Sequence, residues 1–286
     1  MSNHLSRVQN MRDIQFFGEE GGVVPVIDHA ATSTFLDPKD MEKVFKGELE
    51  GCYLYSRHTN PTVSAFSQKI AAMEGTEAAY GLASGMAAIA CTLEQLLIDG
   101  GHIIASNTIY GGTYALLANI FPRRGIQITF VDPRDPKNFE EAITADTKVI
   151  YTETMSNPLL DVSDIKAISK ISKKHNVKLV VDNTFTPMIV APSSLGADIV
   201  VYSCTKYISG ASDMIAGAVC ADQDFINQLI DVNTGMAMLY GPVMDPRLAY
   251  ELFSRLDHLH LRMKSHCDSA AYLANILIDN GIEGVV

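Results

Sequence analysis

Short runs of β-branched apolar residues recur along the chain, separated by stretches with helical spacing. Residues 79–82, 102–106, 127–131, 148–153, 178–182, 197–203 and 217–221 predict strands. Between them, helix-length segments run from Asn60-Pro61 to about residue 73, from Ser84-Gly85 to 97, and from Gly111-Gly112 to 121. Two more cover 138–144 and 163–175. Asn60-Pro61 marks a helix start, because proline is tolerated in the first turn. Strands that alternate with helix-length segments predict βαβ units and an α/β fold with a mainly parallel sheet flanked by helices. The strand cores are nearly unbroken Val and Ile, as expected where both faces of a sheet are covered. Right-handed crossovers then bring the strand ends to one edge.

Residues 1–60 lack sustained periodicity and read as an extended arm. After Asp224 the pattern turns helical, over 225–232, 246–257 and about 259–279. The last of these carries Leu261, His266, Ala270, Leu273 and Leu277 on helix-like spacing. Gly284-Val285-Val286 reads as the start of one more strand. The expected organisation is an arm (1–60), a large domain (61–250) and the start of an incomplete C-terminal domain (251–286).

Composition narrows the function. Of 286 residues, 47% are hydrophobic and 19% charged, an ordinary globular balance. The net charge of −11, without a basic cluster, disfavours nucleic acid and anionic membrane as partners. No apolar run has the length of a signal peptide core or a membrane span. The five cysteines are scattered, and Cys91 and Cys220 sit in apolar runs as expected of buried thiols. They form neither a disulfide framework nor a metal site, and the chain reads as a cytoplasmic protein without a metal.

The chemistry gathers at the predicted strand ends. The run 199–203 leads into Ser203-Cys204-Thr205-Lys206. A lysine at the carboxyl end of a strand can form a Schiff base with a carbonyl compound, and flanking hydroxyls can hold a phosphate. Ser84-Gly85-Met86 opens a helix, where backbone N–H groups and the helix dipole favour an anion. Tyr110 precedes Gly111-Gly112 and could stack on a planar ring or act as an acid or base. Asp182 closes an apolar strand, where a carboxylate is costly unless paired, and a protonated ring nitrogen would pair it. Asn157-Pro158 follows another strand and could meet a ring hydroxyl. Each residue alone also has an ordinary reading: a loop lysine, a glycine at a helix start, a half-buried tyrosine, a capping aspartate, a turn. As a set, lysine, acid, aromatic ring and phosphate donors on one edge fit pyridoxal 5′-phosphate.

The segments YSRHTNPT (55–62), ASGMAAI (83–89), YGGTYAL (110–116), ETMSNPLL (153–160), VDNTF (181–185) and SCTKYISG (203–210) resemble the Cys/Met-metabolism family of pyridoxal phosphate enzymes. The resemblance implies the aspartate-aminotransferase-like architecture, fold type I, and a homotetramer built as a dimer of dimers. It implies Lys206 as the Schiff-base lysine and Tyr110 as the stacking ring that also moves protons. It places Asp182 on the pyridine nitrogen, Gly85, Met86, Ser203 and Thr205 on the phosphate, and Asn157 beside the ring oxygen. Tyr55 and Arg57 would reach the phosphate in the neighbouring subunit. The implied activity is carbon–sulfur lysis of a sulfur amino acid by γ-elimination, most like the methionine and cystathionine γ-lyases, giving from methionine a thiol, 2-oxobutanoate and ammonia. Alternatives are γ-replacement on an activated homoserine and a truncated, catalytically impaired paralogue. The chain departs from the family in two ways. It is shorter, lacking the C-terminal domain whose arginine grips the substrate carboxylate. It also carries Gly112 where methionine γ-lyases often have cysteine.

Overall fold

The protein is described by a computed structural model over residues 2–13, 23–35, 37–45, 48–49 and 51–282. Its centre is a seven-stranded sheet of β1 (Ala78–Leu82), β2 (Gly101–Ser106), β3 (Ile126–Val131), β4 (Thr147–Glu153), β5 (Lys178–Asp182), β6 (Ile199–Ser203) and β7 (Gly217–Ala221). Their spatial order is β1-β7-β6-β5-β4-β2-β3. Strands β3, β2, β4, β5 and β6 pair in parallel. Strand β7 runs antiparallel to both β6 and β1. Hence β1 points the same way as the parallel set, and six carboxyl ends share one edge. All seven expected strands form.

Side-chain alternation along each strand divides the core. One face presents Leu82, Ala105, Tyr151, Val180, Val201 and Val219 to a cluster that includes Ala88, Ile89 and Leu93 of helix Gly85–Leu96. On the opposite face, Val200, Tyr202, Ala218 and Cys220 join Phe66, Ile70 and Met73 of helix Pro61–Glu74. Further along that face, Ile104, Ile150, Leu179 and Val181 lie under Ile165 and Ile168 of helix Ile165–Lys174. The Asn60 side chain accepts the N–H groups of Thr62 and Val63, which sets the start of helix Pro61–Glu74.

Two expectations need amendment. The arm is not free of helix: Ser2–Asp13 and Pro38–Phe45 are helical, and Val8 and Met11 pack into the core beside Phe66. The apolar positions of that first helix are few, so the sequence hides a helix that tertiary packing stabilises. The helix that starts at Gly111 is α-helical only to Ala115, then widens to a π turn over Leu116–Ile120. The strand expected at 284–286 lies outside the described residues. Cys91 and Cys220 are buried and free, as expected, and burial pushes the Cys91 thiol up to about 12. Among the described residues, no helix is long and apolar enough to cross a membrane.

A buried polar network ties the first helix to the sheet. Glu74 is 1% exposed and lies 3.6 Å from the Arg7 guanidinium. Burial holds its carboxyl above the ordinary glutamate value. It accepts from the Tyr202 hydroxyl and, at 3.0 Å, from the Ser193 amide. Asn183 in turn donates to the Tyr202 oxygen at 2.9 Å. Tyr202→Phe removes a donor to Glu74 and an acceptor for Asn183 without changing the ring. It is expected to lower stability by about 1–3 kcal/mol in urea unfolding, and an unchanged midpoint would contradict the network.

Candidate active site

Four strand ends and one helix start converge at the shared carboxyl edge. The turn after β1 ends at Ser84, whose hydroxyl accepts the Ala87 N–H at 3.1 Å. This leaves the amides of Gly85 and Met86 without a protein acceptor among the described residues. Gly85 lies flat against Ser203 at the end of β6. A Cβ on Gly85 would sit 2.6 Å from the Ser203 Cβ and 2.8 Å from its Cα. The approach is forced from the other side by Gly217, whose own Cβ would fall 2.1 Å from the Ser84 carbonyl oxygen. Open helix amides beside the Ser203 hydroxyl make a place for an anion.

Ser203 is fixed by its backbone N–H, which donates to the Thr184 hydroxyl at 2.7 Å. The Thr205 hydroxyl accepts from the Ala216 amide at 3.0 Å and donates to its carbonyl at 3.2 Å, pinning the turn that carries Lys206. The Lys206 side chain is exposed, and its amine has no protein partner among the described residues.

Asp182 closes β5. It is 7% exposed, and its oxygens accept from the Thr184 amide at 2.9 Å and the Tyr151 hydroxyl at 3.3 Å. Burial raises its carboxyl above the ordinary aspartate value, against the pull of those hydrogen bonds. Its register partner on β4 is Glu153. Burial first, and Asp182 second, push Glu153 up to about 8. Side-chain alternation puts both carboxylates on the face that carries Tyr151, Val180 and helix Gly85–Leu96. No ion pair reaches either of them among the described residues, so this is a pocket of excess negative charge that a cation would relieve.

Tyr110 caps helix Gly111–Ala115 and is 48% exposed. Its ring lies over Gly112, where a Cβ would meet the ring carbon Cε1 at 2.5 Å and the Met86 Sδ at 3.2 Å. A cysteine there would displace the ring, so Gly112 and this placement of Tyr110 go together. Asn157 follows β4, is exposed, and precedes a cis peptide bond to Pro158.

The expected residues therefore fall into two groups. Gly85, Met86, Tyr110, Asn157, Asp182, Ser203, Thr205 and Lys206 share the carboxyl edge. Tyr55 and Arg57 stand together beside Met238 and Gly241. The Arg57 guanidinium lies 5.3 Å from the centre of the Tyr55 ring and donates to the Met238 carbonyl at 2.6 Å. Four residues were missed in the sequence. Tyr151, Thr184 and Gly217 act through contacts between distant segments and carry no local mark. Glu153 did carry one, the same strand-end carboxylate that singles out Asp182.

A mainly parallel sheet with a lysine, a buried acid, an open aromatic ring and free helix amides at one edge defines the fold type I class of pyridoxal phosphate proteins. The crystal structure of metB from Corynebacterium glutamicum superposes with a TM-score of 0.85 at 34% identity, over 96% of this chain and 69% of that one. The methionine gamma-lyase of Arabidopsis thaliana is 45% identical over 272 residues, covering 93% of this chain and 62% of the relative. An O-succinylhomoserine sulfhydrylase of Mycobacterium tuberculosis is 36% identical over 237 residues, covering 82% of this chain and 57% of the relative. The family model described as Cys/Met metabolism PLP-dependent enzyme matches residues 10–285, and the chain belongs to that family. It spans under two thirds of the length of these curated relatives.

The residues present fit the family's cofactor. The buried Asp182 lacks a cation that a protonated pyridine nitrogen would supply. The open amides of Gly85 and Met86 await an anion, and Lys206 offers an unpaired amine.

The carboxylate pair has a measurable consequence in the cofactor-free protein. The folded pair retains a proton that the unfolded chain releases above ordinary carboxylate values, so folding loses stability as pH rises from about 4 towards 8. Asp182→Asn removes one carboxylate and eases the other. Relative to wild type, the variant is expected to gain stability steadily over that range in denaturant titrations. A pH-independent difference would refute the protonated pair.

Proposed function

We propose that the chain is the cofactor-binding part of a carbon–sulfur lyase that removes the γ substituent of a sulfur amino acid. The observation that carries this reading is the 45% identity to a methionine gamma-lyase across 93% of the chain. The contiguous carboxyl-edge cluster supports it. With L-methionine the overall change would consume water and give methanethiol, 2-oxobutanoate and ammonia.

Pyridoxal phosphate, when bound, supplies an electron-poor ring that takes up the charge left at Cα when a proton departs. The Lys206 amine would hold the cofactor covalently and, once displaced by the substrate's amino group, carry protons between Cα and Cβ. Asp182 would keep the pyridine nitrogen protonated, a task suited to a buried acid with no other cation beside it. Gly85, Met86, Ser203 and Thr205 would bind the phosphate through backbone N–H groups and hydroxyls. Asn157 would face the ring oxygen. Tyr110 would stack on the ring and deliver a proton to the departing sulfur.

Tyr55 and Arg57 would serve the phosphate of a neighbouring subunit. The proposed assembly is a dimer paired into a homotetramer. In this organisation residues 1–60 form the arm, 61–250 the cofactor domain, and 251–286 begin a second domain. The proposed setting is the cytoplasm.

The second reading is γ-replacement, favoured by the 36% identity to a sulfhydrylase. Product analysis separates the two. Release of 2-oxobutanoate from L-methionine alone is expected for the lyase, whereas consumption of an activated homoserine only when a thiol is added would establish replacement. Lys206→Ala is expected to abolish the absorption band of covalently held cofactor and to lower turnover by at least about a thousandfold. A retained band would overturn the role of Lys206.

A further inference from the structure

Glu153 is 6% exposed, ends β4 and has no cationic partner among the described residues. Its two oxygens do different work. Oε1 accepts the backbone N–H of Tyr110 at 2.7 Å, and Oε2 accepts that of Asn157 at 3.3 Å. These amides lie in separate loops, one after β2 and one after β4. The carboxylate thus clasps the two loops that carry the ring-facing residues.

Stability alone is a poor reason for this arrangement. A buried carboxylate next to another carboxylate is costly, and burial with Asp182 alongside disfavours its charge. The chemistry of the clasp explains the residue type. Two backbone donors need two acceptors on one planar group. Glutamine has only one oxygen, so its NH₂ would confront the second N–H group. Aspartate is one methylene shorter and cannot keep both contacts. Tyr110 gives its helix no side-chain cap hydrogen bond, and its ring lies beside Gly112 and Met86. The backbone contact to Glu153 is what fixes the ring's base.

We propose that Glu153 is a positioning residue: by accepting from Tyr110 and Asn157 together, it sets the ring of Tyr110 and the amide of Asn157 against the cofactor. The inference rests on the roles given above to Tyr110 and Asn157. It does not depend on which substrate is used.

The test uses the full chain loaded with pyridoxal phosphate, in the Glu153→Gln and Glu153→Asp variants. Both are expected to bind the cofactor nearly as tightly as wild type, because the phosphate and ring-nitrogen contacts are intact. Its visible circular dichroism, which reports ring orientation, should fall by roughly half or more, and kcat should drop about 10–100-fold with little change in KM. In a Tyr110→Ala background, Glu153→Gln should have a smaller effect on the dichroism than in wild type, namely the part that passes through Asn157. Wild-type dichroism and kinetics in both variants, or additive effects with Tyr110→Ala, would overturn the proposal. Failure of methionine turnover in wild type would leave the dichroism untouched, and so would count against the proposed reaction only. Should both variants fail to fold, hydrogen exchange in wild type decides. The Tyr110 amide, in a half-exposed loop, should exchange at least about a hundredfold more slowly than an unprotected amide, and unprotected exchange would refute the clasp.

Discussion

The contact on which the rest of the edge depends is the one between Gly217 and the Ser84–Gly85 turn. Strand β7 is inserted antiparallel between β6 and β1, so its first residue must pass beneath the turn that ends β1. A side chain at Gly217 would overlap the Ser84 carbonyl, and one at Gly85 would overlap Ser203. Two glycines therefore let three backbone segments approach closely enough for open amides and a hydroxyl to share one small volume. Backbone groups placed this way need no reorganisation when an anion arrives. Everything further along the edge, from the Thr184 contact to the Lys206 turn, is referenced to that point.

From there polar contacts run through the site in sequence. Ser203 is held by Thr184, Thr184 also donates to Asp182, Asp182 faces Glu153 on the next strand, and Glu153 holds the loop that brings Tyr110 back over Gly112 and Met86. Apart from the Thr184–Asp182 contact at the end of β5, each link joins two different strand ends. The rigid sheet supplies the spacing, and the loops supply only short, well-anchored tips. The two excess acids are tolerable because the sheet beneath them is packed on both faces, so the site can store unfavourable charge that a cationic ring would neutralise.

Much of this was legible in the residues. Apolar runs marked the strands, most of them rich in Val and Ile, because strands covered on both faces leave little room for polar interruptions. Lys206, Asp182 and Gly85 stood out because each is a residue type that a buried strand end or a helix start seldom carries without reason. What stayed hidden depends on three dimensions. The antiparallel insertion of β7 cannot be read from a five-residue apolar run. The first helix is too polar to announce itself, and it holds through Val8, Met11 and the Arg7–Glu74 pair. Glu153 was visible as a strand-end acid, but its two backbone partners are separated from each other by nearly fifty residues of chain, and only the fold brings them to one carboxylate.

Strand β6 carries a further implication for how the chain reaches one structure. Consecutive residues on it meet opposite demands. Tyr202 must reach Glu74 and Asn183 on one face, while Ser203 must meet Gly85 on the other. A slip of one residue would bury a serine where a large ring belongs and thrust a phenol into the space reserved for an anion. Mispairing of this strand would thus be penalised on both sides of the sheet at once. The polar residues that equip the site also proofread its assembly.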